Sequence, residues 1–462
     1  MRRNKYILYI APVLLLVLVV VFANQISSLR RQVRSSIRII PGESKSGDDS
    51  AQSRLDRDTA GSSARPEILV KFRAGVSEDV MAQITSRFND RIQDEIETVP
   101  GLTAIDDPEN ADASTLAAEY QALAEVEYAE PNYEISLEPA GNETRSPVTD
   151  LRREKQWALT NIQAPQAWTT TKGSDEVVVA ILDSGVEYTH AALANNIWTR
   201  PASLGPYQDR DLGTVDDVHG CNFAGGGDAS GEPRDENGQG TCCAGVIGAE
   251  CGDHGPVCGV SQKIRIMALK VVNAGGFGTT SGAVQAINYA IDRKRAGVNL
   301  RIVVTSWGLS QRSRALEDVI GKAYEAGILF VVAAGDRGAD NDTTPRYPAG
   351  YQLGNVLSVA ALDQSDALAP FSNYGVKSVQ LAAPGKEVVT TALGNDYEMC
   401  SGTSLAAAEV AGVAALALAA HPDLTVDGLR LLLLKSVDQV PALRGKVATG
   451  GRINAARAVA MK

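Results

Sequence analysis

Between residues 67 and 137 the hydrophobic positions change period several times. EILVKFR, residues 67–73, alternates apolar and polar side chains, as a half-buried strand does. SEDVMAQITSRF follows, with Ser77 as a helix-starting residue and apolar positions at helical spacing. RIQDEIETV and LTAID read as strands, DASTLAAEYQALAEV as a helix, and EYAEPNYEISL as a closing strand. The order β-α-β-β-α-β predicts a small α+β, ferredoxin-like (split βαβ) sandwich over 67–137.

The pattern changes from about residue 153. The runs VVVAILD, IRIMALKVV, RIVVTSWG, ILFVVAAGD, VLSVAAL and VQLAAPG are apolar throughout. They are interleaved with helical patterns at 282–297 and 314–327, a small-residue helix from about 403 to 420, and another at 425–436. Strands buried on both faces and separated by helices predict an α/β domain with a parallel, doubly wound sheet over 153–462. Ligands of such sheets sit beyond the carboxyl ends of the strands, where Asp183 and Asp336 fall. Residues 138–152 connect the two domains.

The first 66 residues carry neither pattern. An uncharged stretch from Tyr6 to Ala23 lies between Arg2, Arg3 and Lys5 on one side and Arg30, Arg31, Arg34 and Arg38 on the other. Residues 1–40 therefore read as a signal anchor. The alternative is a signal peptide cleaved after Val21-Phe22-Ala23. Residues 41–66 lack apolar periodicity and read as a disordered linker. These segments imply an extracytoplasmic protein, single-pass membrane-anchored or secreted. The net charge of −11 lacks the basic footprint that nucleic-acid binding requires. Export permits disulfides among the six cysteines, and Cys251 and Cys258 flank a short loop that a bridge could close. The sequons at Asn142 and Asn341 are acceptors only if a glycosylating pathway handles the chain.

Three stretches carry the chemistry. VAILDSG ends a buried strand in Asp183, SGTSLAAAEVAG starts a helix at Ser404, and DENGQGTCCAGVIG lies between them as a loop. With QWALTNIQAPQAW, SWG, RYPAGY, FSNYG, LAAPG and KVATGGRIN, the segment from 155 to 460 resembles the subtilisin-like serine proteases. Residues 67–137 resemble the inhibitory prodomain of that family. The resemblance implies a catalytic acid at Asp183 and a nucleophile at Ser404. The family's base histidine falls in GHGTH, which reads GQGTC here and puts Gln239 in its place. The oxyanion asparagine falls in AAGN, which reads AAGD and makes that residue Asp336; the helix motif also lacks its proline at Ala408.

A serine hydroxyl is a weak nucleophile until a neighbouring base takes its proton. A glutamine amide can donate to Asp183 and accept from Ser404, but it cannot take up a proton. In subtilisin, loss of the histidine costs about 10⁶ in turnover. One oxyanion donor is worth about 10²–10³, and an ionised Asp336 would place negative charge where the oxyanion forms. Of His190, His219, His254 and His421, none occupies a position to which the resemblance gives a catalytic role.

These residues predict a pseudoprotease with a peptide-binding cleft and a retained prodomain. The alternatives are an endopeptidase of weak or substrate-assisted activity and a membrane-tethered scaffold. The expected partner is a polypeptide in extended form, or the chain's own prodomain, and the membrane is engaged through the N-terminal segment. By resemblance the cleft walls are Gly275, Gly276, Gly278, Ser306, Trp307 and Gly308. No cofactor is required; calcium is a candidate at Asp209, Asp211, Asp216 and Asp217, whose oxygen-rich spacing suits it. An active enzyme would release its prodomain as a fragment boundary near residues 145–155.

Overall fold

Alternating strands and capped helices build the N-terminal unit in a computed structural model, which describes residues 67–138, 146–148, 156–225, 229–252 and 257–461. The expected anchor and linker, Asn142 and His254 lie outside them. The elements are β1 (Ile68–Phe72), α1 (Glu78–Phe88), β2 (Arg91–Glu95), β3 (Leu102–Asp106), α2 (Ala113–Gln121) and β4 (Val126–Pro131). Ser77 and Asp112 cap the two helices by accepting from the amides of Val80 and Thr115. The antiparallel sheet runs β2-β3-β1-β4, the order of a split βαβ sandwich. Ile68, Val70, Phe72, Met81, Leu116 and Tyr120 fill its core.

The expected closing strand is in fact two. β4 ends at Pro131, and β5 (Glu134–Leu137) leaves the small sheet to pair with the second domain. Asn132 makes the break: its side chain accepts from Thr280 Oγ1 and the Ser281 amide, both at 2.9 Å. Glu130 likewise accepts from the amide of Arg314 at 2.8 Å. Two prodomain side chains thus sit on the amino ends of two helices of the larger domain, where backbone N–H groups lack intrahelical partners.

The larger domain carries β7 (Gly173–Asp183), a hairpin β8 (Tyr207–Asp209) and β9 (Gly213–Val215), β10 (Gly220–Asn222) and α3 (Gln239–Gly248). β11 (Lys263–Lys270), β12 (Phe277–Thr279), α4 (Thr280–Arg295), β13 (Leu300–Thr305), β14 (Trp307–Gly308) and α5 (Arg314–Glu325) follow. β15 (Leu329–Ala333), β16 (Val356–Leu362), β17 (Leu381–Pro384), β18 (Val388–Ala392), β19 (Asp396–Cys400) and α6 (Thr403–Ala420) come next. The domain closes with α7 (Val426–Lys435), β20 (Val437–Gln439), β21 (Gly451–Ile453) and α8 (Ala455–Ala460). The central sheet runs β10-β11-β7-β13-β15-β16-β17-β21-β20, parallel except for the edge strand β20. Its inner strands β15, β16 and β17 are buried throughout because layers of side chains cover both faces.

α6 is long and apolar enough to cross a membrane, yet it lies buried against the sheet. Its Gly412 also lets it approach the segment before β11, where a Cβ would meet Val260 Cβ at 2.6 Å. Cys251 and Cys258 form a disulfide, whereas Cys221, Cys242, Cys243 and Cys400 are buried thiols. Asn341 is no glycan acceptor in the folded chain, because it is 1% exposed and its Nδ2 donates to Ala334 O.

Candidate active site

Asp183 terminates β7, the strand at the centre of the sheet's first half, and is fully buried. Its Oδ1 accepts from the Ser184 amide at 2.7 Å. The stretch expected as a loop instead contains the whole of α3, with Gln239 its first residue. Asp235 builds this start: its two oxygens accept from the amides of Asn237, Gly238 and Thr241 and from Thr241 Oγ1. Gly240 lets the helix end reach the strand end, since a Cβ there would lie 1.9 Å from Gly185 O and 3.2 Å from Asp183 Cβ.

Ser404 is the second residue of α6 and is 5% exposed. Gln239 Nε2 donates to Ser404 Oγ at 2.8 Å. The amide therefore presents a donor to the serine, the reverse of the expected acceptor. Nε2 also faces the Cys243 sulfur at 3.7 Å, a soft, weak acceptor that accommodates an N–H. A donor on the serine oxygen draws electron density from it and takes no proton away.

Asp336 follows β15, and its Oδ1 accepts from the Thr403 amide at 2.8 Å. A Cβ on Gly402 would meet Ser404 Oγ at 2.9 Å and Asp336 Oδ2 at 3.1 Å, so this glycine brings the two side chains together. Burial pushes the Asp336 carboxyl up to about 7, with the Glu138 carboxylate adding to the push and the Thr403 bonds opposing it. Above that pH the group beside Ser404 is an anion; below it, a neutral acid able to donate.

No replacement base appears among the described residues. His190 is fully buried with Nδ1 accepting from Ala192 N and Nε2 donating to Asp396 O. His219 bonds to Trp198 O, and His421 to Val459 O. Burial pushes the Cys243 thiol well above its ordinary value. In α6, Glu409 is fully enclosed and pushed up to about 8 by burial, which holds it as a neutral acid at neutral pH.

The expected calcium ligands are not gathered around a common point. Asp217 is enclosed by Arg293 at 2.6 Å, Arg200 at 3.0 Å and the Tyr289 hydroxyl at 2.5 Å. Asp216 pairs with Arg200, Asp211 accepts from the Glu95 amide, and Asp209 accepts from the amides of Asp211 and Leu212. Guanidinium groups supply the positive charge at Asp216 and Asp217 that a cation would have brought, and the four aspartates do not form a ligand cluster among the described residues.

The cleft is a three-stranded sheet in which β5 lies between β12 and β14, antiparallel to both. Gly278 opposes Ile135, Gly308 opposes Ser136, Trp307 opposes Leu137, and the Leu137 amide donates to Gly276 O. Four of the six expected wall residues therefore contact the strand. Ser306 instead faces Cys243 Sγ at 3.4 Å, and the Gly275 amide donates to Asn273 Oδ1. At the end of β5, Glu138 pairs with Arg346 and with Arg337, the latter at 3.2 Å. Beyond the connecting residues, β6 (Ser146–Pro147) pairs antiparallel with β19, the strand leading into Ser404.

Residues 174–452 match the model of the subtilase family. The chain belongs to the subtilase family. Residues 51–132 match the fervidolysin N-terminal prodomain. The chain is 31% identical over 399 residues to a thermophilic serine proteinase of Bacillus sp. strain AK1, covering 86% of this chain and 88% of that one. It is 32% identical over 305 residues to thermitase of Thermoactinomyces vulgaris, covering 66% and 96%. The halolysin-like extracellular serine protease Nep of Natrialba magadii is 32% identical over 310 residues, covering 66% and 50%. This subtilase is thus a subtilisin-like fold with a family prodomain, carrying Gln239 and Asp336 beside its serine.

Proposed function

We propose that this subtilase is a pseudoprotease that binds extended polypeptide by strand addition, its own prodomain tail foremost, and does not cleave it. One observation carries the reading: Gln239 donates to Ser404 Oγ, so the nucleophile's neighbour is an amide that cannot accept its proton. Asp183 and Ser404 keep the positions of catalytic acid and nucleophile without the relay between them. The seating of β5 between β12 and β14 supports strand addition as the binding mode. The Cys251–Cys258 bridge and the apolar N-terminal stretch support an extracytoplasmic protein, anchored or secreted.

A weak endopeptidase is the second reading, favoured by one feature: a protonated Asp336 could donate to an oxyanion below about pH 7. Turnover of a fluorescein-labelled casein by the full chain separates the two. The pseudoprotease reading expects wild type and Ser404→Ala to be indistinguishable from pH 5 to 9. Activity in the wild type that the Ser404→Ala chain lacks would establish the second reading.

A further inference from the structure

We propose that the cleft selects polypeptides carrying an acidic side chain at the position Glu138 occupies, directly after the segment that adds as a strand. The inference rests on the strand-binding cleft described above. The Glu138 carboxylate reaches a pocket in which its side chain is only 4% exposed and that of Arg346 only 7%. Arg346 and Arg337 each bond one of its two oxygens, and both arginines come from the single connection between β15 and β16, about 200 residues from Glu138 in sequence. Gly308 leaves the room: a Cβ there would lie 3.0 Å from Glu138 Oε1 and 3.3 Å from Arg346 Nη2. Arg346 Nε is buried with no partner among the described residues, so the guanidinium retains donor capacity toward a carboxylate.

Charge decides what this pocket accepts. A guanidinium removed from water is costly unless an anion meets it, so a neutral occupant leaves Arg346 buried and uncompensated, and a cation adds repulsion. An acidic side chain alone satisfies both arginines. The backbone pairing of β5 with β12 and β14 is indifferent to sequence, which leaves the selection to the pocket.

Hydrogen–deuterium exchange on the full chain tests the proposal, with β7 and α6 as the internal control for folding. In the wild type, residues 134–137 and 277–279 should exchange slowly. Glu138→Lys should speed both segments by about tenfold or more, and adding Arg346→Glu should restore most of that protection. Unchanged exchange in Glu138→Lys overturns the acid preference and leaves the strand-binding cleft standing. Rapid exchange of both segments in the wild type overturns the cleft itself. The Glu138→Lys chain should also bind a labelled peptide of residues 133–138, YEISLE, about tenfold or more tighter than YEISLQ, by fluorescence polarisation. Equal affinity, or binding of neither peptide, overturns the proposal.

Discussion

Gln239→His combined with Asp336→Asn should raise peptide-bond cleavage at least about 10³-fold over the wild-type chain, measured as release of the prodomain. The physical basis is the pair of contacts at Ser404. An imidazole in place of the amide turns a donor on Oγ into an acceptor of its proton, and Asp183 lies buried at the end of β7 to orient it. Asparagine at 336 keeps an oxygen for the Thr403 amide and supplies a neutral donor in place of a carboxylate. The two losses belong to one reacting unit, so the gains should not simply multiply. No gain from the double variant would mean that the departures of this cleft extend past these two side chains.

The single variant Gln239→His should behave differently, and its pH profile isolates Asp336. A histidine base must be neutral, which favours pH above its ordinary pKa of about 6.5. Asp336 must be protonated to donate, which favours pH below about 7. The two requirements leave a narrow bell centred near neutrality, whereas Asp336→Asn removes the alkaline limb and opens a plateau. The same group gives a stability effect of determined sign. Its folded pKa lies above the ordinary carboxylate value, so the folded chain binds the proton more tightly and loses stability as pH rises from about 4 to about 7. Asp336→Asn should therefore raise the thermal midpoint at pH 8 and change it little at pH 4, by differential scanning calorimetry. A bell persisting in the double variant would assign the alkaline limb to another group.

Much of the architecture was legible because its signals are local. The uniformly apolar strands, the capped helices of the prodomain and the small-residue helix at Ser404 each announce themselves within a short window. α3 is a helix buried on nearly all sides, and Gly238, Gly240 and two cysteines give it no amphipathic period that sequence could display. The hairpin of β18 and β19 was missed, although Gly394 and Asn395, both at positive φ, form its turn. The positions of Asp183, Gln239, Asp336 and Ser404 followed from motifs, but the direction of the Gln239 hydrogen bond required coordinates.

Two ion pairs of the fold join residues far apart in sequence. Asp217 reads as one of a set of candidate cation ligands because Arg293, which encloses it, lies 76 residues away in sequence. Glu138 and Arg346 are 208 residues apart, and neither is conspicuous alone. Charge pairing across elements leaves no periodic trace, so sequence displays the anions without the groups that answer them.

Intact-mass spectrometry of the full chain beside its Ser404→Ala variant tests the central claim most directly. After prolonged incubation on both sides of the Asp336 titration, one acidic and one alkaline to about pH 7, the two should differ only by the substitution, each with the prodomain attached. A fragment beginning near residues 145–155 in the wild type, absent from Ser404→Ala, would contradict it.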